Sequence, residues 1–536
     1  MTAAVLLVAI VAEDPTVMRN APRDDGAPQA TLWRGDWLEV RGETAGFLEV
    51  YDHRHERPGF VRAGVVRVHR LDEATAPELR AVVRFLRDAP GSESLGIGYA
   101  ALYLRAAPAG VDSSEVLAAI GTMASRLARR ASARQAAGRD RVLPGASPAA
   151  SATAAQVEVA EHYGVHFRSI ESMVGGGRAR LCYDGEAWER VRAAGAAPAI
   201  ERARAALFLA GDSCAGDAAV AAVAAPADQR AWNDRRVDAL GGVDPAALPA
   251  YLAGRVRLRR AEALAWRAYD EARKSGLAGR GSRGGSSDGA ARAEGAAVRE
   301  LALVDRGLLA PEDLDTFHDV AVRVASARWA VETPPRDTGK RRFRIAVEPR
   351  ATGESCVRVL ESSVAPGGAG AGGAAAASRL VGERCTYGVV WPSALRWSPA
   401  GDAATIAVQP LPSWTELWVI RRGRAAPLAA VAPANGNAGP APTPSPAPAA
   451  TWTIEPLVPA ARDPGAGYVE TAGFSPDGAH LLVVRESRAP GHAQRRFQVL
   501  SLATLAVEKQ AGGADRLLAF KRWSAAWWRS GTLALR

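Results

Sequence analysis

Over residues 13–70, apolar and polar side chains alternate with the period of two that a half-buried strand requires. The apolar members fall into three runs: Leu38 and Val40; Leu48 and Val50; and Phe60, Val61, Val65, Val66 and Val68. Glycines stand between the runs, at Gly35, Gly42 and Gly59, where they permit tight reversals of the backbone. The pattern predicts a small closed β-barrel of five strands.

Four motifs in this segment resemble those of bacterial SH3 (SH3b) domains. They are residues 18–22 (MRNAP), 32–40 (LWRGDWLEV), 46–50 (GFLEV) and 59–61 (GFV), the last two with phenylalanine where tryptophan is usual in the family. The resemblance implies an SH3-like barrel that binds either a peptidoglycan-type wall component or a protein. We therefore assign ligand binding to the aromatic side chains of the barrel: Trp33, Trp37, Phe47, Tyr51 and Phe60.

From residue 71 to 335 the apolar period changes to the 3.6 residues of a helix. Leu79, Val82, Val83 and Leu86 form one such stripe. Further helical stretches are expected at residues 154–163, 185–194, 198–209, 229–240, 246–275, 290–306 and 311–331. The pattern predicts a central α-helical domain, built as a solenoid or as an irregular bundle, and no 34-residue repeat holds along it.

Beyond residue 340, short apolar runs bounded by turn residues predict strands. Two units recur there: residues 395–402 (LRWSPAGD) and 472–478 (AGFSPDG) each precede two further apolar runs. An aromatic-Ser-Pro-Asp-Gly turn between strands resembles the repeat of TolB-like (PD40) β-propeller blades. The resemblance implies that residues 340–536, with a flexible insertion at 432–450, form an antiparallel β domain, either a partial propeller or a sandwich. The whole chain is thus expected to be a multidomain α+β protein.

The formal net charge of +10 in 536 residues raises the question of nucleic-acid binding. Nearly all of the basic charge is arginine, since lysine occurs only at Lys274, Lys340, Lys509 and Lys521. The arginines are spread along the chain, and many lie near an Asp or a Glu, whereas a nucleic-acid footprint gathers basic residues into one stripe. We therefore expect no nucleic-acid partner.

The four cysteines fall as one pair in the helical region, Cys182 and Cys214, and one pair in the C-terminal region, Cys356 and Cys385. This placement favours two local disulfides and an oxidising compartment. The alternative is four unrelated buried thiols. No C-x-x-C spacing is present, so the cysteines do not indicate a zinc site.

Residues 3–12 (AAVLLVAIVA) form an apolar run of signal-peptide length that lacks a basic n-region. Two interpretations stay open: residues 1–12 are a signal-like segment, or they form a first strand that leads into the barrel. Together with the predicted disulfides, the run favours an exported protein of the periplasm or cell envelope. No segment approaches eighteen uninterrupted apolar residues, so we expect no integral membrane segment.

The sequence contains no arrangement that is diagnostic of catalysis, of a metal or of a cofactor, and we predict none of these. His162 and His166 are four residues apart, but Tyr163 stands where a zinc-protease helix needs Glu. His53 and His55 lie in the charged loop of the predicted barrel and are interpreted as solvated.

Two functional hypotheses follow. The one we prefer is a non-catalytic, exported binding or scaffold protein of the bacterial cell envelope, whose SH3b barrel binds a wall component or a protein. The alternative is an envelope hydrolase that uses SH3b as a targeting module and has its active site in the helical domain. A pocket within residues 96–306 lined by converging His, Glu and Asp side chains would favour the hydrolase.

Overall fold

The computed structural model describes residues 6–139, 148–171, 179–211, 226–277, 285–332, 341–362, 378–423, 452–459, 466–489 and 492–529. The chain is a mixed α+β protein that divides into two compact units. The first unit comprises residues 1–229 and 235–252, and the second comprises residues 230–234 and 253–536. The helices predicted between residues 71 and 335 are therefore distributed over both units.

Seven antiparallel strands form the sheet of the first unit, in the order β3-β2-β6-β5-β4-β1-β7. Their bounds are β1 Leu7–Val11, β2 Thr16–Arg19, β3 Pro28–Leu32, β4 Trp37–Thr44, β5 Phe47–Asp52, β6 Arg57–Arg62 and β7 Val66–Arg70. β1 pairs with β4 on one side and with β7 on the other. Residues 7–11 of the first apolar run thus form a strand of the sheet.

One face of this sheet encloses a small core to which both ends of the sheet contribute. Leu32 of β3 and Val66 of β7 pack in the same cluster as Leu38, Val50 and Val61, so the sheet is strongly curled. The strand pairings of the described residues run in an open path from β3 to β7, and none joins these two edges. Over the described residues, the closed five-stranded barrel that we expected is instead an open sheet of seven strands, in which β1 lies between β4 and β7.

Six helices belong wholly to the first unit: α1 Ala76–Arg87, α2 Glu93–Ala106, α3 Ser114–Arg139, α4 Pro148–His162, α5 Glu186–Ala193 and α6 Ala199–Leu209. The predicted stripe of α1 is confirmed, with Leu79, Val83 and Leu86 buried. The apolar faces of the helices pack with Val8 and Ile10, which point away from the inner core of the sheet. A second core therefore lies between the sheet and the helices.

The approach of α2 to the sheet depends on glycine at two positions. A Cβ atom at Gly98 would lie 2.5 Å from the carbonyl oxygen of Gly35 and 3.0 Å from Cδ1 of Ile10. Gly35 itself has a φ of +100°, in the turn before β4, where a side chain would be strained and would meet the backbone of Ser94. The two glycines allow helix and turn to touch through their backbones.

A short hairpin within the helical region was not predicted from the sequence. It consists of β8 Phe167–Glu171 and β9 Ala179–Tyr183, which pair antiparallel. The backbone N–H of Leu181 donates to the hydroxyl of Ser132 at 2.8 Å, and this bond attaches the hairpin to α3. Each strand has only five residues, so its apolar pattern is too short to be distinguished in the sequence from the helical patterns around it.

The second unit combines helices with one antiparallel sheet and one larger, mainly antiparallel sheet. Two helices are shared between the units: α7 Pro226–Gly241 contributes residues 230–234 to the second unit, and α8 Ala250–Leu277 contributes its residues from 253 on. The helices that belong wholly to the second unit are α9 Gly285–Ala302, α10 Pro311–Ala327, α11 Leu518–Trp523 and α12 Ala526–Arg529. The smaller sheet has the order β10-β11-β12, with bounds Phe343–Pro349, Ser355–Ser362 and Ser378–Thr386.

The larger sheet contains two successive meanders, each of four antiparallel strands. The first consists of β13 Val389–Trp397, β14 Ala403–Leu411, β15 Trp414–Arg422 and β16 Trp452–Leu457. The second consists of β17 Gly467–Phe474, β18 His480–Ala489, β19 His492–Ser501 and β20 Val507–Ala511. One parallel bridge, between Trp414 and Gly467, joins the meanders into an eight-stranded sheet.

The predicted disulfide between Cys356 and Cys385 is confirmed. The two residues face each other directly in the β11–β12 register, with their Cα atoms 4.0 Å apart. Cys182 in β9 is buried and disulfide-bonded, and its predicted partner, Cys214, lies outside the described residues. The predicted insertion at residues 432–450 also lies outside them. Among the described helices, none has the length and apolarity needed to cross a membrane.

Candidate binding surface

Three of the five predicted ligand-binding residues lie side by side on the outer face of the N-terminal sheet. Trp37, Tyr51 and Phe60 come from β4, β5 and β6, which are neighbours in the sheet. Tyr51 pairs with Glu39 and with Pro58, so each aromatic residue is the diagonal neighbour of the next, within reach of a large side chain. All three are partly exposed. We call these three residues the aromatic row.

The other two predicted residues are placed differently. Phe47 is on the same face but is only 5% exposed, and the guanidinium of Arg62 lies 5.3 Å from its ring centroid. Trp33 lies in the turn between β3 and β4, where its backbone N–H donates to Oδ2 of Asp36 at 2.8 Å. Over the described part of the chain, no ring contact joins Trp33 to the aromatic row.

His53 lies between Trp37 and Tyr51 at one end of the row. Its ring stacks on Trp37 with the centroids 5.6 Å apart and the planes inclined by 19°, and it meets Tyr51 edge-on at 4.9 Å. Nε2 of His53 lies 2.9 Å from Oε2 of Glu39. His53, which we interpreted as solvated, is therefore half exposed but contacts Trp37, Tyr51 and Glu39.

Two guanidinium groups lie against rings of the row. Arg41 lies 4.3 Å from the ring centroid of Tyr51 and donates from Nε to Oε1 of Glu39 at 3.1 Å. Arg105, from α2, lies 4.8 Å from the ring centroid of Trp37. Both distances are those of cation–π contacts. Two rings of the aromatic row therefore each have a positively charged group beside them.

Glu39 is kept ionised by its neighbours. The hydrogen bond with His53, followed by the one from Arg41, holds the pKa of this carboxyl below its usual value. Because both oxygens already have partners, Glu39 serves to position His53 and Arg41.

The loop that carries His53 is fixed by a buried carboxylate. The side chain of Asp52 is 2% exposed, and its Oδ2 lies 2.5 Å from Nδ1 of His55. The backbone N–H groups of Arg54 and His55 donate to Oδ1 of Asp52 at 2.9 and 3.3 Å. His55, also interpreted as solvated, therefore has a structural partner, and its pairing with Asp52 determines the conformation of the loop.

The same loop is joined to the helices through Arg54. Its guanidinium donates to Oδ1 of Asp36 at 3.1 Å and to Oε2 of Glu158 on α4 at 2.9 Å. Burial raises the pKa of Asp36, although the N–H of Trp33 and the charge of Arg54 act in the opposite direction. These bonds connect the loop both to the turn before β4 and to α4.

His162 and His166 do not share a helix face. α4 ends at His162, and Gly164, with a φ of +80°, turns the chain before His166. Nδ1 of His166 lies 2.5 Å from Oε1 of Glu186. Burial lowers the pKa of His162, which favours a neutral imidazole there.

A small cavity in the second unit is bordered by charged and aromatic side chains. Its volume of about 10 Å³ is about that of a single water molecule. Arg328 beside it is paired with Glu470, which also accepts hydrogen bonds from the Tyr468 hydroxyl at 2.6 Å and from the Trp528 indole at 2.7 Å. The charges of Arg328 and Glu470 compensate each other, and the hydrogen bond from Trp528 to Glu470 joins α12 to the sheet.

One group of three potential metal ligands occurs among the described residues: Cys356, Glu383 and Cys385, with ligand atoms within 4.8 Å of one another. The two sulfur atoms are bonded to each other, so in this state the thiolates that a metal requires are not formed.

The surface around the aromatic row is therefore the best-formed candidate site. It offers partly exposed rings, two guanidinium groups and one fully engaged carboxylate, a set that suits binding. Comparisons of the chain with protein-family models, with curated proteins and with solved structures found no match.

Proposed function

We propose that this protein is an exported, non-catalytic binding or scaffold protein of the bacterial cell envelope. In this proposal, the N-terminal sheet docks a wall component of the peptidoglycan type through the aromatic row. The observation that carries the proposal is the stack of His53 on Trp37, with Tyr51 edge-on beside it, on an exposed sheet face. Aromatic rings held in this way provide large contact areas at a small cost in conformational entropy.

The rigidity of the surface supports binding as its role. Three polar links, from Asp52, Arg54 and Glu39, hold the loop around His53. A surface that is ordered before binding loses little entropy when a ligand arrives, so more of the contact energy contributes to affinity.

The resemblances belong to the same proposal. A strongly curled antiparallel sheet around a small core is compatible with a divergent SH3b domain, in which β1 would be an additional strand. Two four-stranded meanders in succession are compatible with TolB-like blades that do not complete a propeller. Under this proposal the second unit presents further binding surfaces.

Export is the part of the proposal that the disulfide supports. Cys356 and Cys385 are joined across β11 and β12, and such bonds persist in oxidising compartments. Intact-mass measurement on protein from separated cell fractions tests this part, because it reports both the compartment and the thiol state. Free thiols in cytosolic material would contradict it.

Binding is tested by sedimenting the protein with purified peptidoglycan sacculi. We expect Trp37→Ala to lose about 2 kcal/mol of binding free energy, or about 30-fold in affinity. Trp33→Ala is the matched control, because it removes an indole of the same strand–turn segment that lies outside the row. Because Trp37 also packs against the core between the sheet and the helices, Trp37→Ala should lower the melting temperature, and binding is compared at a temperature at which circular dichroism shows both variants folded.

The outcomes separate the alternatives. Equal binding by Trp37→Ala and the wild type would remove the aromatic row from the proposal. Failure of the wild type to sediment would direct the search toward a protein partner. A fall in the turbidity of the sacculus suspension, caused by the protein alone, would establish the envelope hydrolase instead.

A further inference from the structure

We propose that the Trp37 end of the aromatic row recognises a carboxylate, and that Arg105 of α2 supplies the guanidinium that binds it. The ligand would then be an acidic peptide rather than a neutral glycan. This inference rests on the proposed function, since it names the ligand chemistry of the same surface.

Arg105 is a cation at the Trp37 end of the row whose charge is not neutralised by an ion pair among the described residues. It is exposed, its guanidinium lies 4.8 Å from the ring centroid of Trp37, and among the described residues no carboxylate pairs with it. Arg41, the other cation beside the row, is already paired with Glu39 at 3.1 Å. The other carboxylates near this end are engaged as well, because Asp36 accepts a hydrogen bond from Arg54 and Asp52 pairs with His55.

The carboxylate already present cannot supply the missing partner. Glu39 uses Oε1 for Arg41 and Oε2 for His53, and these bonds lower its pKa so that it stays ionised and engaged. Glu49, the next acidic residue on the outer face, pairs in register with Phe60, at the other end of the row. The guanidinium of Arg105 therefore remains available to bind a carboxylate from a ligand.

The position of Arg105 follows from the packing of α2. Gly98 touches the backbone of Gly35 in the turn before β4, and Arg105 follows Gly98 by two helical turns, on the same face of the helix. The guanidinium is thereby brought over Trp37, the first residue of β4. The site is composite, because the sheet contributes the rings and the helix contributes the charge.

A guanidinium that lies over an indole is suited to bind a planar anion. Its outward N–H groups can donate two parallel hydrogen bonds to one carboxylate, and the ring limits the hydration that the anion must displace. Apolar atoms of the same ligand can then lie along Tyr51 and Phe60. A peptide with an acidic residue next to an apolar one matches both features.

The test uses two soluble peptides and isothermal titration calorimetry. One is acetyl-Ala-Glu-Phe-Ala with free carboxylates, and the other has Gln in place of Glu and a C-terminal amide. We expect the wild type to bind the acidic peptide about tenfold more tightly, with the difference shrinking at high salt because exposed charges are screened. Arg105→Gln should bind both peptides alike, and Arg105→Lys should keep part of the preference because it retains the charge.

Arg129→Gln is the matched control, since Arg129 is also an exposed helical arginine and lies on α3. It should keep the full preference for the acidic peptide. Wild-type protein that binds both peptides equally, or binds neither, would overturn the inference, as would a preference that survives in Arg105→Gln. If sacculi are still bound in that case, the proposed function stands and only the carboxylate assignment fails. Loss of sacculus binding as well would overturn both.

Discussion

Ser398 and Ser475 close equivalent turns in the two meanders of the second unit. The hydroxyl of each accepts a hydrogen bond from the backbone N–H five residues later, from Ala403 at 3.1 Å and from His480 at 2.9 Å. The backbone N–H of each serine donates in return to the carbonyl of that same residue. The first strand of each meander therefore ends in the same type of hydrogen-bonded turn.

The aspartate of each turn lies at a different distance from the serine in the sequence, but its carboxylate accepts the same hydrogen bond from the serine hydroxyl. Ser398 donates to Oδ1 of Asp402 at 2.7 Å, and Ser475 donates to Oδ1 of Asp477 at 2.5 Å. The slip from Ser-Pro-Asp-Gly to Ser-Pro-Ala-Gly-Asp thus preserves the hydrogen bond of the serine. The two turns are physically equivalent although their motifs differ.

We predict that Ser398→Ala and Ser475→Ala each lower the free energy of unfolding by about 1–2 kcal/mol, because a buried backbone N–H loses its acceptor. Urea unfolding followed by far-UV circular dichroism measures the effect. Thr504→Ala is the control: its hydroxyl accepts from Ala506 at 3.3 Å in an exposed turn, and its loss should cost less than about 0.5 kcal/mol. A large effect at one serine and none at the other would contradict the equivalence.

Gly98→Ala should destabilise the first unit by about 1–3 kcal/mol. The added methyl group would lie 2.5 Å from the carbonyl oxygen of Gly35, and backbone atoms cannot move aside cheaply. The control is Gly64→Ala, where nothing lies within 4 Å of the added atom. We expect thermal unfolding to separate the two variants clearly. Equal melting temperatures would show that α2 does not press on the turn.

From the buried carboxyl group of Glu294 we predict that the stability of the second unit depends on pH. It is fully buried, neither carboxyl oxygen has a hydrogen-bond partner among the described residues, and burial raises its pKa well above the usual value despite the nearby Arg328. The folded protein therefore holds a proton that the unfolded chain releases at about pH 4.5. Above that pH, this group lowers the stability by about 1.4 kcal/mol per pH unit until the folded pKa is reached.

Glu294→Gln removes this titration. The variant and the wild type should unfold at similar urea concentrations at pH 4.5, and the variant should be increasingly the more stable of the two from pH 5 to 7. Glu312→Gln, at a side chain that is 72% exposed, should show no such trend. A constant difference between Glu294→Gln and the wild type across this range would mean that the carboxyl is ionised in the folded state.

Reduction of the Cys356–Cys385 disulfide should lower the free energy of unfolding of the second unit. The bond closes a loop with a sequence separation of 29 residues, which corresponds to about 3.5 kcal/mol in the chain-entropy description. The double variant Cys356→Ser, Cys385→Ser should match the reduced wild type. A melting temperature unchanged by reduction would contradict this expectation.

Local patterns in the sequence predicted local structure well. The stripe of Leu79, Val83 and Leu86 became a helix face, and the alternation around Leu38 and Val50 became strands. What the patterns could not supply was pairing between distant segments. The insertion of β1 between β4 and β7 depends on contacts across the whole sheet, and no local period records such contacts.

The candidate site shows the same division. Trp37, Tyr51 and Phe60 could be named from the sequence because they are aromatic residues of the segment that resembles an SH3b domain. The contribution of Arg105 could not be, because it depends on how α2 meets the sheet. The role of His53 was missed for a related reason: its stacking on Trp37 exists only once the loop after β5 folds back over β4.

The location of β1 has a consequence for the order of events during synthesis. Leu7–Val11 is translated well before both of its neighbours in the sheet, and the later of them, Val66–Arg70, completes the sheet. Until then the nascent chain carries an unpaired, strongly apolar strand. Such a chain is a natural client for chaperones, and its folding is expected to begin only after the seventh strand has been translated.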